Sequence, residues 1–202
     1  MIIGNYDTFL IDLDDTLYDE KLYLFEAYSQ ISLYLSQSQN IQFELINEYL
    51  RETFLNEGRT NLFDKLFEKF KIGNELLADL LEIMRNLNLE NKIQLYPEAY
   101  ALLAQLNESK KKTIVVTNGN SAQQANKFNN IDWKGLRNSF DVIYAKDFGS
   151  KPNCSVFQFA CKKFNLTNQK IVMIGDSEID SEFAKNCSID FIHKENVFEW
   201  VK

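Results

Sequence analysis

A chain of 202 residues, 45% apolar and 25% charged, is long enough for one sizeable core with an insertion. With 16 Phe and 9 Tyr it is too rich in packing material for long disordered stretches. A formal net charge of −7 excludes phosphate-backbone binding as the main job, since that needs a basic surface, but leaves room for a small phosphate ester held by a metal and one lysine.

The first element expected is a buried strand over Thr8–Leu13, an apolar run that ends in Asp12-Leu13-Asp14-Asp15-Thr16. Asp12 and Asp14 are two apart, so an extended chain projects both to one side, where their repulsion calls for a hard divalent cation with oxygen ligands such as Mg2+. From Glu20 to about Asn88 the apolar spacing is helical. Its stripes are Leu24, Tyr28, Ile31 and Leu35; Leu45, Tyr49 and Phe54; Leu62, Leu66 and Phe70; and Leu76, Leu80, Ile83 and Leu87. Breaks near 36–40, 58–59 and 73–74 divide them into a four-helix bundle.

After Lys92, strands alternate with helices. Pro97 suits the first position of a helix carrying Tyr100, Leu103 and Leu106. Lys110-Lys111-Lys112 reads as its solvated end. Strands follow at 113–117, 140–144, 170–174 and 189–192, with a helix marked by Phe157, Ala160, Cys161 and Phe164 between the second and third of these. Continuous apolar strands separated by helices indicate an α/β fold with a parallel, Rossmann-like sheet covered on both faces. The first strand belongs to that sheet, so 1–17 and 90–202 form a discontinuous catalytic core and 18–89 an inserted helical cap. Cys154, Cys161 and Cys187 are odd in number and lack metal-ligand spacing, and read as reduced packing residues. With neither a basic leader nor an apolar run of about 18 residues, a cytoplasmic protein is expected, a monomer or homodimer with no membrane or nucleic-acid partner.

Ligands of open parallel sheets sit beyond the carboxyl ends of the strands. Here those ends carry Asp12, Asp14 and Thr16; Thr117 and Asn118; and Gly175-Asp176 with Asp180 a turn later, while Gly149-Ser150-Lys151-Pro152 delivers one lysine. Such a set suits phosphoryl transfer: a carboxylate to attack phosphorus, a second to move protons, and hydroxyl and ammonium groups to hold phosphate oxygens. Taken singly, Thr117 is an ordinary strand end, Lys151 a solvated loop lysine and Asp180 a first-turn helix residue.

Together these segments resemble the haloacid dehalogenase superfamily, in its phosphatase-type branch with a helical cap after the first motif. Asp12-Leu13-Asp14-Asp15-Thr16, Thr117, Lys151 before Pro152, and Gly175-Asp176 with Asp180 match its four motifs in order. The resemblance implies Asp12 as nucleophile and Mg2+ ligand, and Asp14 as general acid/base whose backbone carbonyl also meets the metal. Thr16 is implied to position the Asp14 loop, and Thr117 to bind phosphate with the Asn118 backbone. Lys151 is implied to stabilise Asp12 and the phosphate, Asp176 to ligate Mg2+, and Asp180 to orient or complete the metal shell. Asp15 reads as an exposed turn residue and His193 as surface or packing. Tyr18, Arg51 and Arg59 read as core or solvated groups rather than substrate readers. Asp14 favours phosphate-ester hydrolysis over halide displacement, which needs no leaving-group proton. The expected substrate is a small phosphorylated metabolite; the alternatives are a sugar phosphomutase or a binding protein with little turnover.

Overall fold

The computed structural model describes residues 2–199. The described chain divides into two compact units, Lys21–Asn91 and the segments on either side of it.

The helical unit contains α1 (Lys21–Gln39), α2 (Phe43–Glu57), α3 (Leu62–Phe70) and α4 (Leu77–Arg85). On α1 the expected stripe is the buried one: Leu24, Tyr28, Ile31 and Leu35 are all enclosed. On α2 the expected face is wrong. Ile46, Leu50 and Thr53 are buried, while Leu45 is 50% exposed. Apolar residues lie around much of this helix, so spacing alone does not choose a face: of the expected stripe, Phe54 packs on Phe25 and Tyr28 and Tyr49 on Phe70, while Leu45 turns outward. Arg51 belongs to the same packing. Its Nε donates to Asn47 at 3.1 Å, and its guanidinium lies 4.8 Å from the centre of the Phe25 ring. On α3, Phe67 rather than Phe70 completes the buried stripe, and on α4 Leu80 and Met84 do so.

The second unit runs β1 (Thr8–Ile11), then β2 (Ile93–Gln94), α5 (Pro97–Glu108), β3 (Lys112–Thr117), α6 (Ser121–Asn130), β4 (Ile131–Asp132) and β5 (Asp141–Tyr144). It continues through α7 (Ser155–Phe164), β6 (Ile171–Gly175), α8 (Glu178–Asn186), β7 (Asp190–His193) and α9 (Lys194–Phe198). Five strands form one parallel sheet in the order β5-β3-β1-β6-β7, and β2 pairs with β4 in a separate ribbon. All four residues of β1 are buried, as suits the central strand of a sheet covered on both faces. Register pairs Ile11 with Val115 on one side and Ile174 on the other, which brings the carboxyl ends of β1, β3 and β6 together. Leu10, Ile114, Val116 and Met173 share one core with Val156 and Ala160 of α7 and Phe183 of α8.

Two local expectations are corrected. The lysine run is only in part a helix end: the Lys110 and Lys111 N–H groups donate to the Asn107 and Leu106 carbonyls just past α5, but the run does not stay there. Instead Lys112 opens β3, where its ammonium pairs with Asp141 at 2.6 Å on the adjacent strand. Cys154 and Cys187 are joined by a disulfide rather than reduced; only Cys161 is free. Thirty-three residues separate the pair, but the start of α7 and the end of α8 meet, with 5.5 Å between the Cα atoms. Among the described residues no helix is long and apolar enough to cross a membrane.

Candidate active site

Chain order places β3 and β5 on one side of β1, and β6 and β7 on the other. The sheet therefore changes direction at β1, and the crevice beyond its carboxyl end is where such sheets bind ligands. The residue that enters it first is Asp12, whose backbone N–H donates to the Ile174 carbonyl at 2.9 Å and so extends the pairing with β6 by one residue.

Lys151 reaches the same point from the β5–α7 connection. Asn118, just past β3, fixes that connection by a reciprocal pair. Its amide nitrogen donates to the Lys151 carbonyl and its amide oxygen accepts from the Lys151 N–H, each at 2.9 Å. The Lys151 ammonium donates to Asp12 Oδ1 at 2.5 Å and Asp180 Oδ1 at 2.6 Å. Its side chain is 2% exposed, so solvent screens neither contact much. Burial alone would lower the Lys151 ammonium, but the two carboxylates outweigh it and raise it. Lys151 is thus no solvated loop residue.

Asp180 is the third residue of α8 and completes a capping box with Ser177, accepting from the Ser177 hydroxyl at 2.6 Å through Oδ2. One oxygen closes the helix and the other faces Lys151. Gly175 makes room for this arrangement. A Cβ there would stand 2.4 Å from Asp180 Oδ2 and 2.5 Å from its Cγ. Gly175→Ala is expected to displace the carboxylate, at about 1–3 kcal/mol of stability for overpacking. In a chain this long that is a fall in Tm of roughly 3–10 °C, read by a thermal melt. Wild-type thermal stability would show that the carboxylate yields freely.

Asp12, Asp176 and Asp180 each offer an oxygen within 4.8 Å of the others. Lys151 bridges two of these carboxylates and the Lys194 charge acts on the third, and the donors are hard oxygens without sulfur or imidazole, a set that fits Mg2+. Burial pushes the Asp12 carboxyl up to about 7, with Lys151 opposing and Asp180 and Asp14 adding to the rise. Asp176 is raised as well, chiefly by burial, against a hydrogen bond from the Thr16 hydroxyl at 3.1 Å. That hydroxyl is directed to Asp176, not to the Asp14 loop. His193 also supports Asp176: its Nε2–H donates to the Asp176 carbonyl at 3.1 Å, and Nδ1 accepts from Glu195 N–H at 3.3 Å, which settles the tautomer. Asp15 is half-buried rather than exposed. Its φ of 55° turns the chain, and its side chain accepts from Glu20 N–H at 3.0 Å.

The Asp14 carboxylate stays outside this acidic group. Oδ1 accepts from the Tyr18 hydroxyl at 2.5 Å, and Oδ2 accepts from Gln124 Nε2 and Lys127 Nζ, both at 2.8 Å. Gln124 Nε2 also donates to the Thr117 hydroxyl at 2.5 Å, and Lys127 to Glu20 Oε1 at 2.5 Å. Burial raises the Asp14 carboxyl, but the Lys127 charge and the bonds from Lys127, Tyr18 and Gln124 outweigh it and hold it below the ordinary value. Sequence reasoning passed over Glu20, Gln124 and Lys127, and read Tyr18 as a bystander. One signal was available: the sequence of α6, SAQQANKFNN, has Phe128 as its only large apolar side chain. A helix that poor in apolar residues must bury polar ones if it is to pack at all.

The family model described as haloacid dehalogenase-like hydrolase matches residues 9–194. No curated protein matches the chain. Solved structures with the same fold include YfnB of Bacillus subtilis, described as a HAD-hydrolase bound to magnesium; it is 22% identical, with 92% of this chain and 85% of that one covered at a TM-score of 0.59. A HAD phosphatase from Thermococcus onnurineus is 24% identical over 92% of this chain and 84% of its own, with a TM-score of 0.60. A Thermotoga maritima protein assigned as a β-phosphoglucomutase is 16% identical over 96% and 98%, also at 0.60. At these identities the likeness is one of fold.

Proposed function

The chain belongs to the haloacid dehalogenase-like hydrolases, and from that premise we propose that it hydrolyses a small phosphomonoester through an aspartyl-phosphate on Asp12. The observation that carries the reading is the convergence of strand ends: Lys151 joins Asp12 to Asp180, Asp176 stands within 4.8 Å of both, and Asp14 follows Asp12 by two residues. Membership alone does not choose among the reactions of a fold, so the choice rests on these groups.

In the first half-reaction an Asp12 oxygen attacks phosphorus. The bond from phosphorus to the ester oxygen breaks and its electron pair stays on that oxygen; Asp14, which Lys127 holds ionised until a proton reaches it from the monoanionic ester, passes that proton to the leaving oxygen. In the second, water gives a proton to the Asp14 carboxylate as its oxygen attacks phosphorus. The bond to Asp12 breaks, its electrons return to the carboxylate, and inorganic phosphate leaves. Lys151 and the Thr117 hydroxyl hold non-bridging oxygens where charge spreads, aided by the backbone at Asn118. Asp12 and Asp176, with Asp180 and the Asp14 carbonyl, are the residues that would hold Mg2+. When bound, the cation offsets the charge between the nucleophile and an anionic phosphate. Halide displacement needs no proton donor, so the presence of Asp14 supports ester hydrolysis. The substrate class is a small phosphorylated metabolite.

The test is a panel of phosphorylated metabolites with Mg2+ in ¹⁸O-water. Released phosphate is expected to carry the label. An isomeric sugar phosphate with little free phosphate would replace the reading by a mutase, and no turnover across the panel by folded, metal-loaded protein would replace it by a binding role.

A further inference from the structure

We propose that Gln124 and Lys127 are positioning residues that hold the Asp14 carboxylate in place and join it to the Thr117 hydroxyl. The inference rests on the hydrolase reading above and adds to it two residues that lie outside the four motifs.

The two side chains stand one helical turn apart on α6 and share a face. Both are enclosed: Gln124 is 2% exposed and Lys127 1%. The helix that carries them begins four residues after Thr117 and is capped by Asn120, whose side-chain oxygen accepts from Ala122 N–H at 3.1 Å and Gln123 N–H at 3.2 Å. The placement of both residues is therefore tied to the end of β3, where Thr117 sits.

Their contacts divide the work. One amide nitrogen of Gln124 spans Thr117 Oγ1 at 2.5 Å and Asp14 Oδ2 at 2.8 Å, which uses both of its protons. A hydroxyl on the phosphate side and a carboxylate on the leaving-group side are thereby set at a fixed separation. Lys127 adds a charged donor to the same Asp14 oxygen at 2.8 Å and is itself held by Glu20, which is 1% exposed, at 2.5 Å. With Tyr18 on Oδ1, three donors fix the rotation of the Asp14 carboxylate, yet 19% of that side chain remains open to solvent. That is the geometry a shuttling acid/base needs: restrained in direction and accessible at one edge.

A purely structural purpose accounts for this less well. Placing an ammonium between two carboxylates in the interior carries a desolvation penalty, and apolar side chains of similar volume commonly serve stability as well or better. The group lies instead against the one carboxylate that must meet two different oxygens in turn.

The experiment measures kcat/KM, which reports the phosphorylation half-reaction, for p-nitrophenyl phosphate and for phenyl phosphate. Nitrophenolate leaves with little help from an acid, whereas phenolate leaves slowly without one. Gln124→Met keeps volume and charge; Lys127→Met is made both alone and with Glu20→Gln, so that one variant retains charge balance if the single change fails to fold. Each folded variant is expected to lose on the order of 10²-fold on phenyl phosphate and less than about 10-fold on p-nitrophenyl phosphate, the scale of misplacing a general acid. Equal losses on both esters would mean that the residues merely support the fold. Rates within about 3-fold of wild type on both would remove them from the reaction, 3-fold being below the scale of a lost catalytic contact. If wild type with Mg2+ cleaves neither ester nor any member of the metabolite panel, the hydrolase reading fails and takes this inference with it, an outcome distinct from unequal variants of an active enzyme.

Discussion

Replacing Asp12 by asparagine is expected to abolish phosphate release while raising the thermal stability of the metal-free protein. The loss follows from the chemistry: an amide cannot form the acyl phosphate, and removing a nucleophile commonly costs on the order of 10⁴-fold or more. The gain follows from where Asp12 sits. Its carboxyl titrates at about 7 because burial resists its ionisation, more than Lys151 favours it. An acid raised on folding contributes stability that is full below its unfolded value, near 3.8, and is lost as pH rises through the folded value. In EDTA at pH 8, wild type holds a buried, ionised group at a cost, and the neutral amide of the variant carries none. The variant is therefore expected to melt a few degrees higher at pH 8, with the difference closing towards pH 4. Added Mg2+ is expected to stabilise wild type more than the variant, since only wild type keeps the full set of carboxylates. A variant that melts lower at pH 8 and responds equally to Mg2+ would overturn both the charge balance and the assignment of Asp12 as a ligand.

The strand ends of the candidate site were legible for a physical reason. Strands buried on both faces read as unbroken apolar runs, so a polar residue at the end of such a run stands out, as Asp12, Thr117 and Asp176 do. Lys151 and Asp180 are not distinctive singly, because lysines are usually solvated and acidic residues open many helices; four segments in order made them visible. The socket around Asp14 was hidden because its members come from positions 18, 20, 124 and 127, and only the pairing of β1 beside β3 brings them together. The composition of α6 announces that some polar residue is buried, but that Lys127 is one of them is a tertiary outcome. The face of α2 failed for the opposite reason: Leu45, Ile46, Leu50 and Leu55 offer more apolar directions than one helix can bury, and Leu55 ends 58% exposed. The disulfide was missed because the helix ends carrying Cys154 and Cys187 converge through β6 and α8, which sequence spacing does not encode.

Asp14→Asn is expected to give the second large effect, with the opposite sign in stability. Asp14 is held below its ordinary value, because Lys127 and three hydrogen bonds outweigh burial. An acid lowered on folding contributes stability that is present above its unfolded value and lost as pH falls through the folded one. Asparagine forfeits that contribution at neutral pH, so this variant is expected to melt lower than wild type, by roughly 1–3 kcal/mol for hydrogen bonds to a charged group. Lys127 keeps its 2.5 Å contact with Glu20, which is why a folded variant is expected at all. Activity falls for a different reason. Asparagine neither protonates the leaving oxygen nor takes a proton from water, and general acid–base catalysis is commonly worth about 10²–10⁴-fold. The decline is expected to be largest for esters with poor leaving groups. With p-nitrophenyl phosphate the first half-reaction is largely spared and the second is not, so the variant is expected to show a burst of nitrophenol followed by slow turnover. The burst amplitude then counts the Asp12 sites that have become phosphorylated. Unchanged turnover of an alkyl phosphate by Asp14→Asn would rule out the acid/base role. A burst without steady turnover would separate the two half-reactions and assign the proton from water to Asp14.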